Sequence, residues 1–330
     1  MSRPLARRAF LGGALATTAA AGCARPRRWE RTAVRQTERA RVAILQAAGY
    51  DDRLVEVVRR GVRLFALGVA GKRVVLKPNF VEFDPGGVVN THPALVAAAI
   101  EAFRREGARQ VVVAEGPGHH RDTEHLLTAS GLYPVLRATR TRYADLNTDD
   151  ARPVPVASHY TGLDHLYLPE TILSADLLVS MPKLKTHHWA GVTLSMKNMF
   201  GCIPGSIYGF PKNVLHWAGI PESIVDINST LPVRRFAIVD GIVGMEGNGP
   251  IQGEARRCGV VVFGEDPVAV DATAARLMTI DPRQVGYLAE AGRFLGHLAE
   301  ERIDQIGEPL DGLRQDFRVL PSFAGLKRFA

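Results

Sequence analysis

Short apolar runs recur along the chain, separated by stretches whose apolar residues fall at helical spacing, and this alternation limits the fold more than any other feature. Val42-Ala43-Ile44-Leu45 reads as a strand, and 51–67 carries Leu54, Val57, Val58, Val62 and Leu64-Phe65 on one helical face. A strand at 73–76 runs into Lys77-Pro78-Asn79. Thr91-His92-Pro93 opens a helix over 93–106, Gly107 stops it, and Val111-Val112-Val113 is the next strand. Further on come a helix over 121–130, short strands near 141–146 and 153–156, a buried strand Asp176–Ser180 and a helix near 214–228. Phe236–Asp240 and 259–263 are again buried strands, and Asp266-Pro267 caps a helix running to Met278. Strand, helix and strand in that order predict an α/β fold, a mostly parallel or mixed sheet covered by helices. It spans 41–320, either as one body or as two lobes divided near 150–175.

The net charge of +7 would suit a nucleic-acid partner if it belonged to the fold. It does not. Ten arginines against Glu30 and Glu38 give residues 1–41 a charge of +8, which leaves −1 for the body and removes nucleic acid from the expected partners. Arg7-Arg8-Ala9-Phe10-Leu11, ahead of an uncharged run to Gly22, reads as a twin-arginine export signal. The run is too short to cross about 30 Å of hydrocarbon at about 1.5 Å per residue. Ala20-Ala21-Gly22-Cys23 resembles a lipoprotein cleavage box, so residues 1–23 form the signal and 24–40 an Arg-rich linker. The expected location is the periplasm or the membrane surface, reached through the twin-arginine machinery, with the bilayer touched only through a lipid on Cys23. Beyond Cys23 only Cys202 and Cys258 remain, as one disulfide or two free thiols.

In an open parallel sheet, ligands bind beyond the carboxyl ends of the strands. Four polar stretches follow buried strands here: Lys77-Pro78-Asn79, Glu115 to Arg121, Lys183 to His188, and Asp240-Gly241 leading to Glu246 and Pro250. Any one of them would pass as a solvated loop, but four together point to a site. The densest stretch, 183–217, holds His187, His188, Lys197, Asn198 and His216 among glycines. Imidazole with ammonium can bind an anion, ligate a metal or move a proton. Lys77, Asn79, Lys183, Lys185 and Asn198 are candidates for holding an anionic group or cofactor. So are Gly247 and Gly249, since 241–253 is glycine-rich enough to wrap a phosphate or offer oxygens to a divalent ion. Asp240, Glu246 and Asp271 are the candidate oxygen ligands, with His216 as a nitrogen ligand.

Those same residues carry a resemblance. Lys77-Pro78-Asn79, Lys183 to His187, Val192 to Asn198, Asp240-Gly241, Glu246 to Pro250 and Val270-Asp271 resemble the family catalogued as domain of unknown function 362, over roughly 70–275. Many of its relatives add a ferredoxin-like module that this sequence lacks, and with no CxxC pair no iron–sulfur cluster is expected. A weaker likeness is to lactate racemases that carry a nickel-pincer nucleotide. Gly118-His119-His120-Arg121, then His187 before Ala190-Gly191, then Lys197 and His216 follow the order of their motif residues. That likeness implies His120 and His187 as the catalytic proton-transfer pair, with His188 competing for the second place. It also implies Lys197 as a covalent tether, His216 as a ligand of a nickel-type ion, and hydride chemistry on a 2-hydroxy acid. The expected protein is therefore an exported enzyme acting on a small anionic molecule. A metal-assisted hydrolase and a non-catalytic binder of anionic solutes stand as the alternatives.

Overall fold

The computed structural model describes residues 37–118 and 122–329. The export signal, most of the linker and His120 with its neighbours His119 and Arg121 lie outside the described residues. In chain order the strands are β1 (Ala40–Gln46), β2 (Arg73–Pro78), β3 (Gln110–Glu115), β4 (Arg142–Asp145), β5 (Ala151–Pro155) and β6 (His165–Pro169). They continue with β7 (Leu177–Met181), β8 (Lys183–His187), β9 (Gly191–Thr193), β10 (Arg235–Asn248), β11 (Gln252–Gly264) and β12 (Ile303–Gly307).

One sheet runs β12-β1-β11-β10-β7-β2-β3-β4, with β8 paired to β10 and β9 to β8. Along that path β11 alone is antiparallel to its neighbours, so the sheet is mixed and mostly parallel. The expected α/β class is what the chain adopts. Strands with apolar residues on both faces need cover on both faces, and β2 shows how this is met. Val74 and Leu76 pack with helices Leu54–Arg63 and Pro93–Arg105, while Val75 faces the opposite core, which contains Ile224, Ile227 and Val270 of helices Ile220–Thr230 and Pro267–Leu277.

From β2 the chain steps outward through β3 to β4, then returns to place β7 on the other side of β2, with β10 beyond it. Strand order therefore reverses between β2 and β7. At such a reversal the loops leave in opposite directions and open a crevice beyond the carboxyl ends. Lys77 and Glu115, at the ends of β2 and β3, stand at that crevice. Because β1 runs parallel to β10, its first residue, Ala40, lies at the edge away from the crevice.

Three expectations shift in detail. Helix 214–228 is two helices, Asn213–Trp217 and Ile220–Thr230, because Gly219 between them takes a φ of 102° that continues no helix. The segment near 150–175 holds the separate β5–β6 pair, and strands from before and after it share the large sheet. The glycine-rich stretch 241–253 is a hairpin of β10 and β11, not a phosphate-wrapping loop. Its glycines allow close approach instead: a Cβ on Gly244 would lie 2.6 Å from the carbonyl oxygen of Leu184 in β8.

Candidate functional site

The ends of β2 and β3 meet the segment after β9 in a buried ionic knot. Lys77 Nζ donates to Glu115 Oε2 at 2.6 Å, to Asn198 Oδ1 at 2.9 Å and to the carbonyl of Pro78 at 2.9 Å, and is 1% exposed. Glu115 also accepts from the backbone N–H groups of Phe80 and Gly116, both at 2.9 Å. The Asn198 amide donates to the carbonyl of Lys77 and to Ser180 Oγ, which ties the Ser195–Asn198 helix to β2 and β7. Gly201 passes so close that a Cβ there would collide with both Glu115 and Lys77. With both charges paired and the remaining lone pairs met, this pair escapes most of the penalty of burying ions.

A cavity of about 290 Å³ opens beside the knot, and Lys197, Lys212, His187 and His216 join Lys77 and Glu115 in lining it. Its walls include Phe80, Val81, Phe200, Pro211 and Ile251, with Trp189, 62% exposed, at its border. Lys197 is half-buried. Its Nζ lies 4.3 Å from the Phe200 ring centroid, and among the described residues no hydrogen bond satisfies it. Desolvation first, then Lys77 and Lys212, pull the Lys197 ammonium down to about 8 against the opposing pull of Glu115. Lys212 Nζ donates to Asn147 Oδ1 at 2.8 Å and to the carbonyls of Gly116 and Pro117 at 3.1 and 3.3 Å. Burial brings it to about 8 as well, against Glu115.

The two histidines present different nitrogens. His187 Nδ1 accepts from the N–H groups of Trp189 at 3.0 Å and Ala190 at 3.1 Å, so its lone pair is committed and a neutral ring carries its proton on Nε2. Burial, followed by the charges of Lys197, His188, Lys185 and His216, holds it well below the usual imidazole value. His216 Nδ1 lies 3.1 Å from the carbonyl of Lys212, which can only accept. That nitrogen is therefore the donor, and Nε2 of the neutral ring bears the lone pair.

Other expected site residues stand elsewhere. Lys183 pairs with Asp240 at 2.7 Å, and the Asp240 carboxylate also accepts from Tyr50 and from the N–H of His92. Lys185 Nζ donates to the carbonyls of Val89 and Pro250 at 2.7 and 3.2 Å, and burial pushes it far below its ordinary value. Glu246 binds Arg318 at 2.9 Å. Asp271, fully buried, accepts from the N–H groups of Ser195 and Met196 at 2.7 and 2.9 Å, so its carboxylate faces the short helix carrying Lys197 rather than the cleft. Asp240, Glu246 and Asp271 thus spend their oxygens apart from one another. No group of three or more His, Cys, Asp or Glu side chains that could hold a metal occurs among the described residues. Gly247 and Gly249 accept with their carbonyls from Thr186 and His188, and neither glycine lines the cavity. Asn79 does line it. Of the remaining residues, Lys212 carries no motif signal, while Glu115 was visible only as a strand-end carboxylate.

A thylakoid-associated protein of Synechocystis sp. is 28% identical over 230 residues, covering 68% of each chain. The lactate racemase apoprotein of Thermoanaerobacterium thermosaccharolyticum superposes with a TM-score of 0.48 at 13% identity, covering 74% of this chain and 58% of that one. A Thermotoga maritima protein solved by structural genomics gives 0.40 at 12%, covering 71% and 60%. This chain thus spans about three fifths of each of those two structures. The model of the family described as domain of unknown function (DUF362) matches residues 74–276, and the chain belongs to that family.

Proposed function

We propose that the cleft binds a small organic anion and moves a proton on it. The observation that carries this reading is charge: Lys77, Lys197 and Lys212 line one cavity against the carboxylate of Glu115, which Lys77 already engages. An anionic head set by a hydrogen bond from Lys197, with Lys212 acting through its charge alone, would relieve the repulsion between them, and the apolar walls would take the body of the ligand. His216 would then act as the base through Nε2. His187 would act through its Nε2–H as a neutral donor that stabilises negative charge developing on an oxygen, a role different from proton abstraction. His120 stays a candidate for the second proton carrier.

The probe for binding is phenylacetate, followed by titration calorimetry. Lys197→Ala is expected to weaken it about tenfold or more, the size of one charge-assisted hydrogen bond, and Lys212→Ala to weaken it by less, through the lost charge alone. Equal affinity in wild type and both variants would sink the reading. If bound acids then exchange carbon-bound hydrogen in heavy water and His216→Asn abolishes that exchange, the protein is an enzyme; binding without exchange makes it a solute binder.

A second reading is favoured by the amine of Lys197, to which no described residue hydrogen-bonds. With its ammonium held at about 8, a substantial neutral fraction exists near neutral pH, as a covalent tether requires. The lone pair on His216 Nε2 suits a metal brought in with such a group, which would supply hydride-accepting chemistry. Intact mass of the exported protein tests this: an adduct lost in Lys197→Ala supports it, and bare polypeptide ends it. Export through the twin-arginine route, and a lipid on Cys23, belong to the same proposal and are read by the same spectrum. The relative named for its thylakoid association is consistent with a place beside a membrane.

A further inference from the structure

A second hollow, of about 600 Å³, shares no residue with the lysine-lined cavity and is lined by the end of helix Pro267–Leu277, by helix Gly286–Ala291 and by the segment that leads into β12. Arg302, in its wall, immediately precedes Ile303, which pairs with Ala40 where the chain enters the sheet. Two more wall residues touch the entering chain. His297 Nε2 lies 2.8 Å from the carbonyl of Thr37, and Arg39 donates to the carbonyl of Glu301 at 2.6 Å. The hollow therefore opens beside the entry edge. Five arginines line it against three carboxylates, an excess of two positive charges in a body that sums to −1.

The carboxylates do not neutralise these arginines evenly. Arg302 has no hydrogen bond or ion pair among the described residues, and Arg293 meets Glu290 only at 3.4 Å. Arg276 is 8% exposed. It donates through Nη2 to the carbonyl of Leu298 at 2.7 Å and has Glu300 3.4 Å from Nε, while Nη1 finds no acceptor among the described residues. Its burial disfavours the charge it carries. Arg276 and Arg302 belong together, because the turn that Arg276 engages at Leu298 and Glu300 is closed by the N–H of Arg302 on the carbonyl of Ala299. A metal cation would meet an excess of its own sign here. A carboxylate brings one charge and two oxygens, whereas a phosphate brings a second charge and a third oxygen for guanidinium forks arriving from different walls. We propose that this hollow is a second anion site, which takes a phosphate group on Arg276 and Arg302. Soluble phosphate compounds and anionic lipid headgroups share that group. The site is independent of the lysine-lined cleft.

The test is titration calorimetry on the full-length exported protein with two probes, inorganic pyrophosphate and a short-chain phosphatidylglycerol kept below its micelle concentration. At least one should bind, and more weakly as salt is raised. Arg302→Gln, at an exposed position that holds no other residue, should weaken that binding about tenfold. Arg293→Gln should weaken it by less, and Lys197→Ala should leave it unchanged. Pyrophosphate binding alone identifies a soluble phosphate compound as the ligand, and binding of the lipid alone identifies the headgroup. No binding of either probe, or affinity unchanged in both arginine variants, overturns the inference. Binding that Lys197→Ala removes and Arg302→Gln spares overturns it too, since the anion would then sit in the lysine-lined cavity.

Discussion

Glu115 sets the charge state of its neighbours. It alone among the influences acting on Lys197 raises that ammonium, against burial, Lys77 and Lys212. Glu115→Gln should therefore lower both lysines below about 8 and move the pH midpoint of phenylacetate binding down with them, while stranding Lys77 at a cost of about 3–5 kcal/mol. In the wild type, binding should fade as pH rises through about 8 and the ammoniums discharge. Stability moves the other way. Lys197 is depressed in the folded state relative to the free side chain, so its desolvation cost is fully present below about 8 and is relieved between there and about 10.5, where only the unfolded chain keeps the proton. The stability gained by Lys197→Met over wild type should accordingly be larger at low than at high pH in urea titrations, and a gain independent of pH would contradict the shift. At this scale Lys77, Lys197, Asn198 and the two described histidines were legible, because they sit in or beside a compact motif. Lys212 was not. It enters the cavity from a left-handed backbone position between Pro211 and Asn213, and only the tertiary fold brings it near Gly116.

Among the elements, β8 was hardest to read. Lys183, Lys185, Thr186 and His187 look like a solvated loop, yet every residue of the strand is buried, because each of these polar side chains has at least one fixed partner. Hydropathy cannot see such satisfaction. The β10–β11 hairpin was hidden for a related reason, since Gly241, Gly244 and Gly249 let it approach β8 closely. The apolar strands and the Asp266 cap were plain, since burial on both sides and an N-cap each leave a local signature. The Ser195–Asn198 helix depends on Asp271 at its first turn. Asp271→Asn should cost about 2–3 kcal/mol by turning one oxygen acceptor into a donor facing an N–H, with no change in divalent-ion binding. Loss of bound ion in equilibrium dialysis would instead restore this carboxylate as a ligand.

For the whole molecule, Cys202 is buried and Cys258 half-buried, and both are free. Thiol titration of the folded protein should therefore label Cys258 faster than Cys202, with no mass change on reduction, and a two-hydrogen gain would show a bridge. The largest consequence concerns the sheet's direction. The polypeptide enters through Ala40 at the margin opposite the lysine-lined hollow, the strands from β12 to β4, β11 excepted, pointing from entry to opening. Whatever holds the chain ahead of Ala40 would therefore attach behind the sheet, which leaves the mouth of the hollow clear of that attachment.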